Sequence, residues 1–218
     1  MNLMNIRIGI MMLLISVSAL TLAQTDKKAQ QILSGLSTKY KSYKSIMADF
    51  SIVIENTKDK TKQEQKGTLY LKGHKYKLQI AGQDIISDGT TRWTFLKDAN
   101  EVQIDNQKSN DNLITPSNIF TIYEKGWLSK YDGDQKLKGI VYQIVELVPT
   151  EGGSKNIIKV RLVINKNQKT ISSAKIFDKN GSIQTISLEK FIPDAAGDES
   201  IYVFNTNKYP GSEVIDLR

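Results

Sequence analysis

The chain contains no cysteine, which excludes disulfides, thiolate metal sites and thiol nucleophiles together. It has one histidine, His74, in the Gly73-His74 step between two strand-like runs. A lone imidazole in a turn lacks both an orienting partner and a nucleophile at readable spacing, and no serine stands in a G-x-S-x-G setting. Metal-ligand clusters are missing as well. Asp132-Gly133-Asp134 is a fragment of a calcium loop without the later ligands or the closing glutamate, and reads as a turn. The glycines of "GTLYLKG" and "GDQKLKG" lack the Gly-Lys-Ser/Thr of a phosphate loop, so no nucleotide site is assigned. The acids fall mostly at turns and outward strand positions, where surface duty is the default. The sequence therefore predicts no catalytic residue, no metal, no cofactor and no enzymatic activity. Only four prolines occur, and no Pro-, Gly- or Ser-rich linker or internal repeat divides the chain.

The longest apolar run, "IGIMMLLISVSALTL", lies at the start. Arg7 precedes it, and Thr21 and Ala23 supply the small residues at positions −3 and −1 for cleavage after Ala23. This is the pattern of an export signal over residues 1–23. A membrane span needs about 20 apolar residues, and this run is shorter and gives way at once to "QTDKKAQQ". No cysteine sits at the cleavage point for lipid attachment, so the expectation is a periplasmic protein with a single domain over 24–218, a length that suits one β-rich unit. The formal charge of +7 falls by one with Arg7. The remaining lysines and arginines are scattered rather than gathered in a stripe with stacking aromatics, which argues against nucleic acid. Weak attraction to anionic membrane surfaces or acidic proteins is compatible with this balance.

From there the period of the apolar residues changes. Ala29, Ile32, Leu33, Leu36, Tyr40, Tyr43 and Met47 recur every three or four residues and predict an amphipathic helix over about 26–46, with Thr25 as its cap. In "IMADFSIVIEN" the apolar residues Ile46, Ala48, Phe50, Ile52 and Ile54 alternate with a mostly polar set, the signature of a half-buried strand. More strands follow: "KGTLYLK" with Leu69 and Leu71 on one face, "HKYKLQI" with Tyr76, Leu78 and Ile80 on one face, and "DIIS". An Asp88-Gly89 turn then leads to "TRWTFL", with Trp93 and Phe95 pointing the same way, and "EVQI" closes the run. Thr115-Pro116 reads as the start of a short helix over about 116–123 carrying Ile119, Phe120 and Tyr123. "GIVYQIVELV", "NIIKVRLVIN", "TISSAKIF", an Asn180-Gly181 turn, "SIQTISLEKFI" and "IYVFN" bring the expected count to about ten strands in sequential antiparallel order.

The predicted fold is thus mainly β with α: a single large antiparallel sheet, an N-terminal helix and a short central helix. A sheet of about ten strands curls or closes rather than staying flat. Its inward side chains then either fill a core or line a hollow, and periodicity does not distinguish these outcomes.

In their order, "MADFSIVI", "GTLYLK", "ISDGTTRWTFLKDANEVQI", "ITPSNIF" and "FNTNKYPGSEVIDLR", behind a signal without a lipid-attachment cysteine, resemble the outer-membrane lipoprotein carrier family, LolA. The resemblance covers essentially the whole chain after the signal. It implies an incomplete, half-open β-barrel whose two helices form a lid over an apolar cavity. It further implies that acylated lipoproteins are accepted from an inner-membrane ABC lipoprotein exporter and carried through the periplasm to an outer-membrane acceptor, by a monomer. On that basis the expected cavity lining is Phe50, Ile52, Ile54, Leu69, Leu71, Tyr76, Leu78, Ile80, Trp93, Phe95, Ile119 and Phe120, with Ile32, Leu33 and Leu36 as the lid. One departure stands out: many members place an Arg-Pro pair after the strand matching "GTLYLK", where this chain has Gly73 and His74, and the role of that arginine is carried onto neither. Rival readings are a carrier of another lipid or lipid-linked precursor, a lipid- or lipoprotein-sensing module of the same fold, and an enzyme whose acids converge in the fold.

Overall fold

In a computed structural model the described residues are 26–107, 120–151, 153–154, 156–195 and 198–218. The expected signal segment, Thr25 and residues 116–119 of the expected central helix, Ile119 among them, lie outside them.

Helix α1 spans Lys27–Ser42 and buries Ala29, Leu33, Leu36 and Tyr40, a stripe at four- and three-residue spacing. Asp26 caps it, accepting from the backbone N–H of Lys28 at 2.7 Å. The helix stops four residues before the expected end. Lys44 and Ser45 are taken instead by the residue that follows a neighbouring strand, Asp194, whose predecessor Pro193 pairs with Ile46: Lys44 N donates to the Asp194 carboxylate at 2.6 Å, and Asp194 N donates to the Ser45 carbonyl at 2.7 Å. Met47, expected on the helical stripe, is the second residue of the first strand.

The strands are β1 (Ile46–Asn56), β2 (Thr61–Lys72), β3 (Lys75–Ile80), β4 (Gln83–Ser87), β5 (Thr91–Leu96), β6 (Glu101–Asn106), β7 (Trp127–Leu137), β8 (Ile140–Pro149), β9 (Ile157–Asn165), β10 (Thr170–Asp178), β11 (Ser182–Pro193) and β12 (Glu213–Asp216). All twelve belong to one sheet, ordered β12-β6-β5-β4-β3-β2-β1-β11-β10-β9-β8-β7. The pairing is therefore not fully sequential as expected. Two meanders are joined edge to edge by β1 against β11, and β12 returns to run parallel to β6. The sheet does not close into a barrel, since β12 and β7 stand at opposite edges.

Two strands exceed the expected count, and one segment expected as a strand is not one. Strand β7 escaped the alternation test because its second half, "DGDQKL", is polar and the ladder is interrupted between Tyr131 and Asp134. Strand β12 is four residues long. "IYVFN" instead enters a 3-10 turn at Glu199–Tyr202, capped by the Asp198 side chain. The expected hairpin glycines hold: Gly73, Gly89 and Gly181 all adopt positive φ.

Candidate functional site

The register decides which side chains meet. Partners across an antiparallel ladder share a face. Ala48 faces Leu69, and Leu69 faces Leu78; on the other side Ile52 faces Ile186, Ile186 faces Ala174, and Ala174 faces Leu162. In a flat sheet β3 and β9 would lie roughly 24 Å apart, five strand spacings. Yet Leu78 of β3 and Val160 of β9 line the same cavity, of about 260 Å³. The sheet is therefore curled, and this cavity lies within its concave face.

The walls are aliphatic: Phe50, Ile52, Leu69, Leu162, Ile176 and Ile186 are typical, and Phe120 and Ile122 border the space from the connection before β7. Phe120 is held by rings on two elements, Tyr40 of α1 at 4.9 Å and Phe191 of β11 at 5.8 Å between centroids. Phe50 lies directly over Gly67, its cross-strand partner. A Cβ built there would come within 2.6 Å of the Gln79 carbonyl oxygen and 2.7 Å of the Phe50 ring, so only glycine leaves the ring its place.

Helix α1 is fixed beside the cavity at both ends. Asp26 N donates to the Ser129 carbonyl at 2.9 Å and the Asp26 carboxylate accepts from Tyr131 N at 3.3 Å, which ties the helix start to β7. Further along, Tyr40 Oη accepts from Ile171 N, and the Glu124 carboxylate accepts from Lys41 Nζ at 2.7 Å and from the Ser37 hydroxyl. Burial alone would raise the Glu124 pKa, but these donors outweigh it and hold the carboxyl below its usual range. Burial also drives the Tyr40 and Tyr123 phenols well above the ordinary tyrosine value.

The residues expected to line the hollow divide into groups. Phe50, Ile52, Leu69, Leu78 and Phe120 do line it. Leu71 and Tyr76 share its face but are buried in the solid core beside it, and Ile54 and Ile80 share the face at its margins. Ile32, Leu33 and Leu36 pack α1 onto that core without bordering the cavity. Trp93 and Phe95 require a correction. Trp93 pairs with Ile86 and Phe95 with Asp84, the set alternate to Ile85, which faces Leu78. They therefore lie on the opposite, convex face. There Trp93 stacks on Phe204 at 6.4 Å, Phe95 meets Tyr209 at 4.5 Å, and Phe204 stacks on Tyr209 at 4.8 Å. The alternation in "TRWTFL" places both rings together, but not on which side of the curl.

Sequence reasoning missed the far wall, Val160, Leu162, Ile176, Ile186 and Leu188. Their alternation is as clear as that of β1. What was absent was the β1-to-β11 pairing that sets them opposite Phe50 and Ile52. Among the described residues no group of three histidines, acids or cysteines could hold a metal ion, and no helix is long and apolar enough to cross a membrane.

This architecture has counterparts among solved structures. An uncharacterized conserved protein from Thermus thermophilus superposes with a TM-score of 0.56 at 11% identity, over 87% of this chain and 99% of its own. A putative outer membrane lipoprotein-sorting protein domain from Vibrio parahaemolyticus gives 0.46 at 13% identity, over 84% and 98%. Lipoprotein LppX from Mycobacterium tuberculosis gives 0.49 at 13%, over 80% and 99%. No curated protein sequence matches the chain. At the level of sequence, residues 41–205 match the family described as outer membrane lipoprotein carrier protein LolA. The curled sheet, the cavity in its concave face and this match over most of the chain together place the protein in the LolA family.

Proposed function

We propose that the protein is a periplasmic carrier that shelters the acyl chains of lipoproteins in its concave cavity between an inner-membrane exporter and an outer-membrane acceptor, without covalent chemistry. The observation that carries this reading is the aliphatic cavity shared by both halves of the sheet and bordered by Phe120 and Ile122. Membership of the family supports a lipid- or lipoprotein-binding role of carrier type.

The physical need is clear from the cargo. Each methylene withdrawn from water contributes about 0.8 kcal/mol, so a long acyl chain resists entering an aqueous compartment by on the order of 10 kcal/mol. A carrier must offset that cost and still release the chain, which favours a cover that moves over a sealed core. At about 260 Å³ the cavity falls below the roughly 300–1,000 Å³ of pockets that enclose drug-sized ligands. It accepts part of one chain as it stands, and a complete cargo requires α1 and the Phe120–Glu124 segment to swing away. The contacts of α1 that would break are the bonds of Asp26 to Ser129 and Tyr131, of Lys39 to the Gln168 carbonyl and of Tyr40 to Ile171, together with the packing of Leu33 and Leu36 on the core. The bonds of Lys41 and Ser37 to Glu124 instead join the two moving pieces to each other.

Native mass spectrometry with a synthetic diacylated lipopeptide tests the proposal. Wild-type protein should retain the lipopeptide, and Ile186→Glu should lose it while keeping its circular dichroism spectrum. Failure of wild-type protein to bind any acylated ligand would overturn the reading.

A further inference from the structure

The cavity is not apolar to its end. Toward the turns that close the β1–β2 and β10–β11 hairpins, the inward row changes from isoleucine to glutamine: Ile52 faces Gln65, and Ile54 stands between Gln63 and Gln184. Gln184 in turn faces Ile176 and borders the cavity itself. Charged neighbours on the same strands go to the other face. Glu55 pairs with Lys62 across the ladder, their charged groups 3.6 Å apart, Lys66 reaches Glu189 at 3.5 Å, and Lys175 shares the Thr185 register. The inward lip is thus made of neutral amides, with one acid beside them. Gln184 Nε2 donates to the Asp178 carboxylate at 3.1 Å, and Asp178 has no cationic partner among the described residues. The lysines of the adjoining turns, Lys58, Lys60 and Lys179, lie beyond the strand ends, with Asp59 among them.

Resting on the carrier reading, we propose that this lip, Gln63, Gln65 and Gln184 with Asp178, selects the uncharged, ester-bearing junction of an acylated polypeptide and rejects phosphate-headed lipids carrying the same chains. When acyl chains enter the cavity, the glyceryl group that joins them comes to rest at its polar end. Side-chain amides suit that group: the NH2 donates to an ester carbonyl, which phospholipids share, and the amide oxygen accepts from a peptide N–H, which they lack. In Gln184 the oxygen remains available, because the bond to Asp178 uses the nitrogen. A phosphate in the same place would face the Asp178 carboxylate with no cation on the inward row to offset it, and like charges at close range are disfavoured.

Competition binding by native mass spectrometry separates these cases. The probes are an N-acetylated dipalmitoylglyceryl-cysteine peptide amide with an uncharged tail, whose blocked α-amine leaves the junction neutral, and dipalmitoylphosphatidylglycerol, which carry identical chains. Wild-type protein should prefer the lipopeptide. Gln184→Leu should weaken lipopeptide binding about fivefold, the scale of one hydrogen bond, and phospholipid binding by less, because the phospholipid has no peptide N–H to lose; Gln65→Leu supplies the same test should Gln184→Leu misfold. Asp178→Asn should strengthen phospholipid binding about fivefold, the scale of one charge at about 4 Å near water. Equal binding of the two lipids by wild-type protein, or variants that move both alike, would overturn the selective lip and leave the carrier reading standing. Binding of neither lipid would remove both.

Discussion

The backbone N–H of Ile171 donates to the phenol oxygen of Tyr40 at 2.8 Å in the buried interior. Ile171 stands just before an irregularity in β10, where the register passes from Ile171 opposite Ile164 to Ser173 opposite Val163, and outside the β10–β11 ladder, which begins at Ser173. A helix side chain thus satisfies a strand donor beside the cavity, and the bond works as a latch between α1 and the sheet. Tyr40→Phe keeps the ring packing and strands the Ile171 N–H in the interior. It should cost about 1–3 kcal/mol in urea denaturation and speed hydrogen exchange at the Ile171 amide. An unchanged midpoint and exchange rate would mean that the latch does not hold the helix.

The same contact predicts how the docking of α1 responds to pH. The buried Tyr40 and Tyr123 phenols bind their protons more tightly folded than unfolded. Their contribution is complete below the unfolded tyrosine value of about 10 and is lost as pH rises beyond it. Glu124 has the opposite sign. Held low in the folded state, it contributes above the unfolded glutamate value of about 4.3 and loses that contribution as pH falls through its folded pKa. Exchange protection of α1 should therefore form a plateau with an acid and an alkaline shoulder. Tyr40→Phe should displace the alkaline shoulder alone.

Phe50 and Gly67 make a second test, this time of the cavity wall. Gly67→Ala would drive a Cβ into the Gln79 carbonyl and the Phe50 ring, an overpacking fault that costs about 1–3 kcal/mol. Melting should fall by about 2–4 °C for each kcal/mol. Acyl binding should change too, because the displaced ring is part of the lining.

Trp93 provides the contrast. Its ring faces Phe204 on the convex side, so Trp93→Ala should loosen the C-terminal segment, at a cost of at least roughly 1 kcal/mol from the lost aromatic pair. Limited proteolysis should cut near residues 203–212 more readily than in the wild type. Acyl binding should stay within twofold, whereas Ile186→Glu should abolish it.

How far the sequence reaches is visible in single residues. Period-two alternation identified β1 with Phe50, Ile52 and Ile54 on one face, and turn chemistry at Asp88-Gly89 and Asn180-Gly181 located hairpins, because both signals are local. The helix stripe at Ala29, Leu33, Leu36 and Tyr40 was legible for the same reason. Its stop was not, since Lys44 is captured by Asp194, 150 positions away in the chain.

What the sequence determined by itself is the set of elements and the grouping of side chains along each one, properties fixed by neighbours two to four residues apart. Tertiary structure alone decided which group faces the hollow. The pairing of β1 with β11 set Ile186 opposite Ile52 across some 130 residues of chain, and the return of the C-terminal segment covered Trp93 and Phe95 on the outside. A strand has two faces of equal standing until its partners and the sense of the curl make one of them the inside.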